Sequence, residues 1–181
     1  MAKPNDAYIL PRTGREVRNR SVVAAMTNKQ SNEDGTLSDE ETHWLTMRAQ
    51  GGFGIVTTAA ANVTQTGRGW DGEMGVWGDH QLPGLTRMAE GLRAQGAVSL
   101  VQLFHGGMRA PESINGVQPV SASVNTEAGM DGETRALGAE EVQAMVDAFA
   151  EAAVRCQKAG FDGVELHGAH SYLICQFLGL E

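Results

Sequence analysis

The sequence predicts a parallel α/β fold, and within that class the first half of a (β/α)8 barrel, on three observations. Four short apolar runs recur in the 181 residues, each followed by a loop and then a helical pattern. The runs are rich in Val, Ile or Leu with little polar alternation, as parallel strands covered on both faces are. The connections are also asymmetric. Loops after strands are long (27–37, 59–81 and 105–138), whereas helix-to-strand links shrink to Gly51-Gly52, Gly96 and Gly160. That pattern puts the variable chemistry at the C-terminal ends of the strands, where a barrel keeps it.

The elements follow in order. Strands are expected at 21–26 (SVVAAM), 53–58 (FGIVTT), 97–104 (AVSLVQLF) and 161–166 (FDGVEL). The first helix opens at Ser38-Asp39-Glu40-Glu41, a capping box in which Ser38 caps forward and Glu41 reaches back, and it ends at Gly51-Gly52. The second places Leu85, Met88, Ala89 and Leu92 on one face and stops near Gly96. The third runs from Ala139 to Ala159, with Val142, Met145, Val146, Phe149, Ala153 and Cys156 along one stripe and Gly160 after it. A doubly wound dinucleotide fold would need G-x-G-x-x-G between a strand and its helix, and that fingerprint is absent. Gly52-Phe53-Gly54 lies before or within a strand and reads as a helix stop.

Composition narrows the function classes. The formal charge is -8, with 14 Lys plus Arg against 22 Asp plus Glu, which argues against a nucleic-acid partner. No apolar run approaches the ~20 residues of a membrane helix, and the polar first residues lack a secretory pattern, so no membrane partner and a cytoplasmic location are expected. Cys156 and Cys175 have no metal-ligand spacing and read as reduced thiols.

The densest chemistry lies in Gly160 to Leu178, where a strand runs into His167-Gly168-Ala169-His170-Ser171-Tyr172. Three readings compete. A metal site would need a third ligand such as His105, and there is no H-E-x-x-H signature; Glu165, inside the strand, is expected to point elsewhere. A structural reading has the histidines satisfying buried groups at a strand end. The third reading fits best: two imidazole donors hold a developing oxyanion while Tyr172 gives or takes a proton.

These residues resemble the old yellow enzymes, flavin-dependent ene-reductases of the NADH:flavin oxidoreductase group. The resemblance runs from about Arg18 to Leu178. It rests on Asn19-Arg20, Ala25-Met26-Thr27, Arg48-Ala49 before Gly51-Gly52, Gly67-Arg68-Gly69, Gln102-Leu103-Phe104-His105-Gly106-Gly107 and the GFDGVELHGAHSYL run. It implies a TIM barrel holding FMN at its C-terminal mouth, with NAD(P)H as reductant and an enone-type small molecule as substrate. It further implies that Ala25, Met26, Thr27, Ala59, Gln102 and His167 face the flavin. Thr27 would bond flavin O4, the backbone of Ala59 would touch the ring and Gln102 would bind the pyrimidine edge. His167 and His170 would hold the substrate's carbonyl or nitro oxygen, and Tyr172 would be the proton donor. An iron-sulfur relative would need a cysteine-rich segment beyond the barrel, which these residues lack.

A complete barrel needs eight βα units and typically ~250 residues, whereas four can be counted here. The chain is therefore expected to be a single domain, 1–181, truncated where the fourth helix begins. The loops that hold phosphate in this fold, after strands seven and eight, would be missing. Four strands with two open edges also predict a homodimer or higher homo-oligomer. The alternative to a working ene-reductase is a non-catalytic half-barrel whose behaviour is self-association.

Overall fold

The computed structural model describes residues 1–126 and 132–179. Four parallel strands run across the central sheet in the order of the chain, β1 (Val22–Val23), β2 (Ile55–Asn62), β3 (Val98–Phe104) and β4 (Gly163–Leu166), and a fifth, two-residue strand at Met74–Gly75 pairs parallel with the end of β2. Helices α1 (Asp39–Gln50), α2 (Leu82–Ala94) and α3 (Ala139–Ala159) cross over between them, and α4 (Leu173–Leu178) follows β4. Sequential neighbours joined by helices on one face make four barrel units, so the predicted half-barrel is the observed architecture.

The core lies between sheet and helices. Val56, Ala61, Val101 and Leu103 from the strands meet Leu45, Ala49, Leu85, Met88, Ala89, Leu92, Ala152 and Cys156 from the helices. The α2 pattern is fully borne out, because Leu85, Met88, Ala89 and Leu92 are its buried residues. The α3 stripe divides. Its C-terminal half buries Ala152, Cys156 and Ala159. Toward its N-terminus Val142, Met145, Val146 and Phe149 instead line an apolar groove of about 430 Å³ with Leu166, Leu173, Ile174 and Phe177.

Three strand and cap expectations need correction. Only Val22 and Val23 of the first run pair, with Ile55 and Val56. The register of β2 against β3 is irregular between Thr57 and Ala60. The second strand continues to Asn62, which puts Ala59 inside a strand rather than at the start of a loop. Small side chains let Ala60, Ala61 and Asn62 stay in register with Gln102, Leu103 and Phe104. The cap on α1 is half as expected. Ser38 Oγ accepts the N–H of Glu41 at 3.0 Å, but the Glu41 carboxylate turns to the loop after β1, accepting from Asn28 Nδ2 at 2.9 Å and from Ser31 Oγ. Glu41 is fully buried, and two loop donors answer its charge there.

At the opposite end of the strands Arg18 ties three elements together. Its guanidinium donates to the carbonyl oxygens of Gln95 at 2.7 Å, Phe53 at 2.7 Å and Ala49. Ala49 and Gln95 lie at the C-terminal ends of α1 and α2, and Phe53 lies in the link from α1 to β2. Beside it Asn19 Nδ2 donates to Gly52 O at 2.7 Å, and a Cβ at Gly54 would lie 2.6 Å from Asn19 O, so only glycine admits this close approach.

Candidate active site

Alternation along β3 and β4 sorts the site from the core. Val101 and Leu103 face the helices, so Gln102 and Phe104 face inward. Gln102 pairs in register with Glu165, and His167 follows two residues later on the same face. Glu165 therefore does not point elsewhere: Gln102 Nε2 donates to its Oε1 at 2.5 Å, and residues i and i+2 of a strand share a face.

After β4 the backbone makes a tight turn. His170 and Ser171 both have φ of +57°, a left-handed conformation that costs non-glycine residues of order 1–2 kcal/mol each. The turn swings His170 back over His167, whose rings lie 5.1 Å apart, and delivers Tyr172 to the start of α4. His167 Nδ1 accepts the N–H of Ala169 at 3.4 Å, which leaves the proton on Nε2, 3.4 Å from His170 Nδ1. The Tyr172 ring stands edge-on to His167 at 4.8 Å and is 6.2 Å from His170. The structure thus brings together all three residues assigned to catalysis from sequence.

Two aromatic residues join them. Phe104 contacts Tyr172 at 4.5 Å and His167 at 5.7 Å, and Trp70 packs on Phe104 at 5.3 Å. From sequence, Trp70 in the Gly-rich loop 67–78 reads as packing that loop, with lining the pocket as the lesser alternative, and Phe104 has no role of its own. The inward phase of Phe104, two residues after Gln102, was the signal for it.

Gln176, from α4, fixes the turn. It accepts from Met108 N at 3.2 Å and donates to Ser171 O at 2.5 Å, locking the end of β3 against the His-Tyr turn. Gly107 has φ of +59°, and a Cβ there would lie 2.4 Å from Gln176 Oε1, so the glycine is required twice over. His105 belongs to this support. Its buried ring lies against Gly67, and its Nδ1 accepts the N–H of Gly107 at 2.9 Å.

The flavin-side candidates occupy the same strand ends. Ala25 is half-buried, Met26 and Thr27 are exposed beyond β1, and Ala59 is buried in β2. Register sets Ala60 rather than Ala59 directly beside Gln102, because the irregularity precedes it.

Electrostatics suit a proton donor beside a neutral His167. Burial, then the neighbouring His170, lowers the pKa of His167. Burial likewise raises that of Tyr172, with Arg109 opposing and Glu73 reinforcing the shift. Both groups hold uncharged hydrogen-bonding forms near neutral pH.

Comparison with known proteins decides the family. The profile of the NADH:flavin oxidoreductase / NADH oxidase family matches residues 13–181. The chain belongs to that family. It is 42% identical over 166 residues to the probable NADH-dependent flavin oxidoreductase YqiG of Bacillus subtilis, spanning 92% of this chain and 44% of that protein. It is 34% identical to an NADPH dehydrogenase of Bacillus pumilus, over 91% of this chain and 48% of that one. Among solved structures, morphinone reductase superposes with a TM-score of 0.92 at 26% identity, over 99% of this chain and 51% of the other. The old yellow enzyme homologue of Zymomonas mobilis gives 0.86 at 28% identity, covering 94% of this chain and 50% of that one. The resemblance to old yellow enzymes is thereby confirmed, and the chain spans about half the length of these relatives.

The family implies FMN, and the donor set present suits a flavin ring. A hydroxyl at Thr27, exposed beyond β1, and a carboxamide at Gln102 on β3 can each donate to the acceptor-rich edge of an isoalloxazine. Gln102 is already held in place by Glu165, as a residue serving a planar ring edge needs to be.

Proposed function

We propose that this chain supplies the substrate-side half of an FMN-dependent, NAD(P)H-driven reductase of activated alkenes, those conjugated to a carbonyl or nitro group. The observation that carries the reading is the convergence of His167, His170 and Tyr172 within one ring-contact cluster beyond β4. When bound, FMN supplies hydride, having been reduced by NAD(P)H. The chain's residues do the rest. Thr27 and Gln102 orient the ring edge, and Ala25, Met26 and Ala59 present a small, apolar surface to it. A substrate oxygen competes with His170 Nδ1 for the proton on His167 Nε2, and the paired imidazoles polarise the alkene through that oxygen. Tyr172 then protonates the carbon α to the activating group.

The phosphate of FMN would be held by loops after the seventh and eighth strands of a complete barrel, beyond the four barrel strands of this sheet. In this reading the chemistry takes place in the cytoplasm, which suits two unpaired thiols, Cys156 and Cys175. Among the described residues no helix is long and apolar enough to cross a membrane.

The test uses a protein of the relatives' full length. Tyr172→Phe is expected to slow alkene reduction by ~100-fold or more while flavin reduction by NAD(P)H is unchanged. His167→Ala is expected to weaken phenol and enone binding and to slow alkene reduction by about 10²–10³-fold. Unchanged alkene reduction in Tyr172→Phe would remove Tyr172 from the mechanism.

A second reading, a non-catalytic half-barrel that self-associates, is favoured by one specific observation. Val22 is 51% exposed at one edge of the sheet, and Leu166 is 59% exposed at the other. Homodimer or higher homo-oligomer formation through these edges is compatible with either reading.

A further inference from the structure

The loop that carries Thr27 is held by a buried acid that the mechanism above does not use. Thr27 lies four residues beyond Val23, the last residue of β1 in the ladder with β2, so strand pairing does not orient it. Its position has to come from the loop's own contacts, and the side-chain bonds that follow it converge on Glu41.

Glu41 is 0% exposed in the first turn of α1, with its own N–H bonded to Ser38 Oγ at 3.0 Å. Its Oε1 accepts from Asn28 Nδ2 at 2.9 Å and its Oε2 from Ser31 Oγ. A carboxylate offers two acceptor oxygens to two donors at once, whereas a carboxamide would turn an N–H toward one of them. Burying a charge is costly unless it is hydrogen-bonded, so acid and loop hold each other in one arrangement.

The turn after Thr27 is also fixed from its other side. Asn28 Oδ1 accepts the N–H of Gln30 at 3.2 Å, which sets the amide's orientation and aims Nδ2 at the carboxylate. Lys29 has φ of +55°, a left-handed conformation that a non-glycine residue keeps only where its surroundings impose it. Ser31 N donates to Gly72 O at 3.1 Å, and a Cβ at Gly72 would lie 2.7 Å from Lys29 O. Residues 28 to 31 are therefore gripped between α1 and the loop after β2.

We propose that Glu41 is a positioning residue for the flavin-side hydroxyl: its buried carboxylate, anchored at the start of α1, holds Asn28 and Ser31 and thereby sets where Thr27 meets the carbonyl edge of the ring. The proposal rests on Thr27 being a flavin ligand. Thr27 is joined directly to Asn28, so a shift of that residue moves the hydroxyl, and a group serving a planar ring edge has to be held within ~0.5 Å.

The test follows the midpoint potential of FMN in a protein of the relatives' full length, through Thr27→Ala, Glu41→Gln and the double variant. A donor to the carbonyl edge stabilises the electron-rich reduced ring, so Thr27→Ala is expected to lower the potential. Glu41→Gln keeps the side chain's size but cannot accept from both donors, and it is expected to lower the potential too. In that background Thr27→Ala should shift the potential less than it does alone, because the hydroxyl is already displaced. An acid that serves stability only would leave the two effects independent. A potential unmoved by Glu41→Gln, or an equal or larger shift from Thr27→Ala in its presence, would overturn the proposal. If Glu41→Gln does not fold or does not retain FMN, Asn28→Ala, which leaves the carboxylate its bond from Ser31, decides by the same cycle. The underlying reading fails by a different result, namely a potential unmoved by Thr27→Ala alone, and that result overturns both.

Discussion

At the scale of single residues, His105 shows how the site's support fixes a charge state. Burial lowers its pKa from 6.5 to about 4, so the folded chain keeps the ring neutral while the unfolded chain protonates it below pH 6.5. The unfolded state then binds more protons through that window, and stability is lost as pH falls from about 6.5 through about 4. The full loss is about 3 kcal/mol. His105→Asn retains an acceptor for Gly107 N–H and is expected to flatten this part of the pH profile, read from urea midpoints. Residue identity at the His-Tyr turn was legible because polar side chains past a buried strand are conspicuous. The inward face of Glu165 and the wall of Phe104 and Trp70 were less so, because facing depends on strand phase and ring contacts on the packing of separate loops.

At the scale of elements, the sequence pattern was most legible where helices carry their own punctuation. The bounds of α3 coincide with those expected, and Gly160 beyond it has φ of +95°, the left-handed stop that the glycine suggested. The β2 irregularity was hidden, since Thr57, Thr58, Ala59 and Ala60 form one smooth strand-like run and the slip in register comes from neighbours far along the chain. The role of Glu41 was hidden for the same reason: Asn28 and Ser31 compete for it across a loop, and they prevail over the local cap. Arg18 is the strongest tie between elements. Removing it takes this donor from the carbonyls of Phe53 and Gln95, while Ala49 O keeps the N–H of Gly52, so Arg18→Ala is expected to cost about 1–3 kcal/mol. Chemical denaturation measures this directly, and a loss below about 0.5 kcal/mol would show that water replaces the guanidinium there without penalty.

At the scale of the whole molecule, the strand order leaves β1 and β4 each with one open edge among the described residues, and the groove of Val142, Met145, Val146, Phe149, Leu166 and Phe177 adjoins the β4 edge. Exposed edges and apolar patches favour association. Sedimentation equilibrium is expected to show concentration-dependent oligomers that Leu166→Glu shifts toward monomer. An unshifted distribution would place the contact elsewhere. The central claim is that these strand ends form the ring side of a flavin site whose phosphate side lies outside the four units. Quenching of flavin fluorescence on titration with the chain tests it most directly, with FMN compared with riboflavin, which lacks the phosphate. The account predicts weak, saturable binding of both with affinities within about threefold, a difference of ~0.7 kcal/mol, weakened alike by Thr27→Ala and Gln102→Ala. Binding of FMN a hundredfold or more tighter than riboflavin, or indifferent to both substitutions, would contradict it.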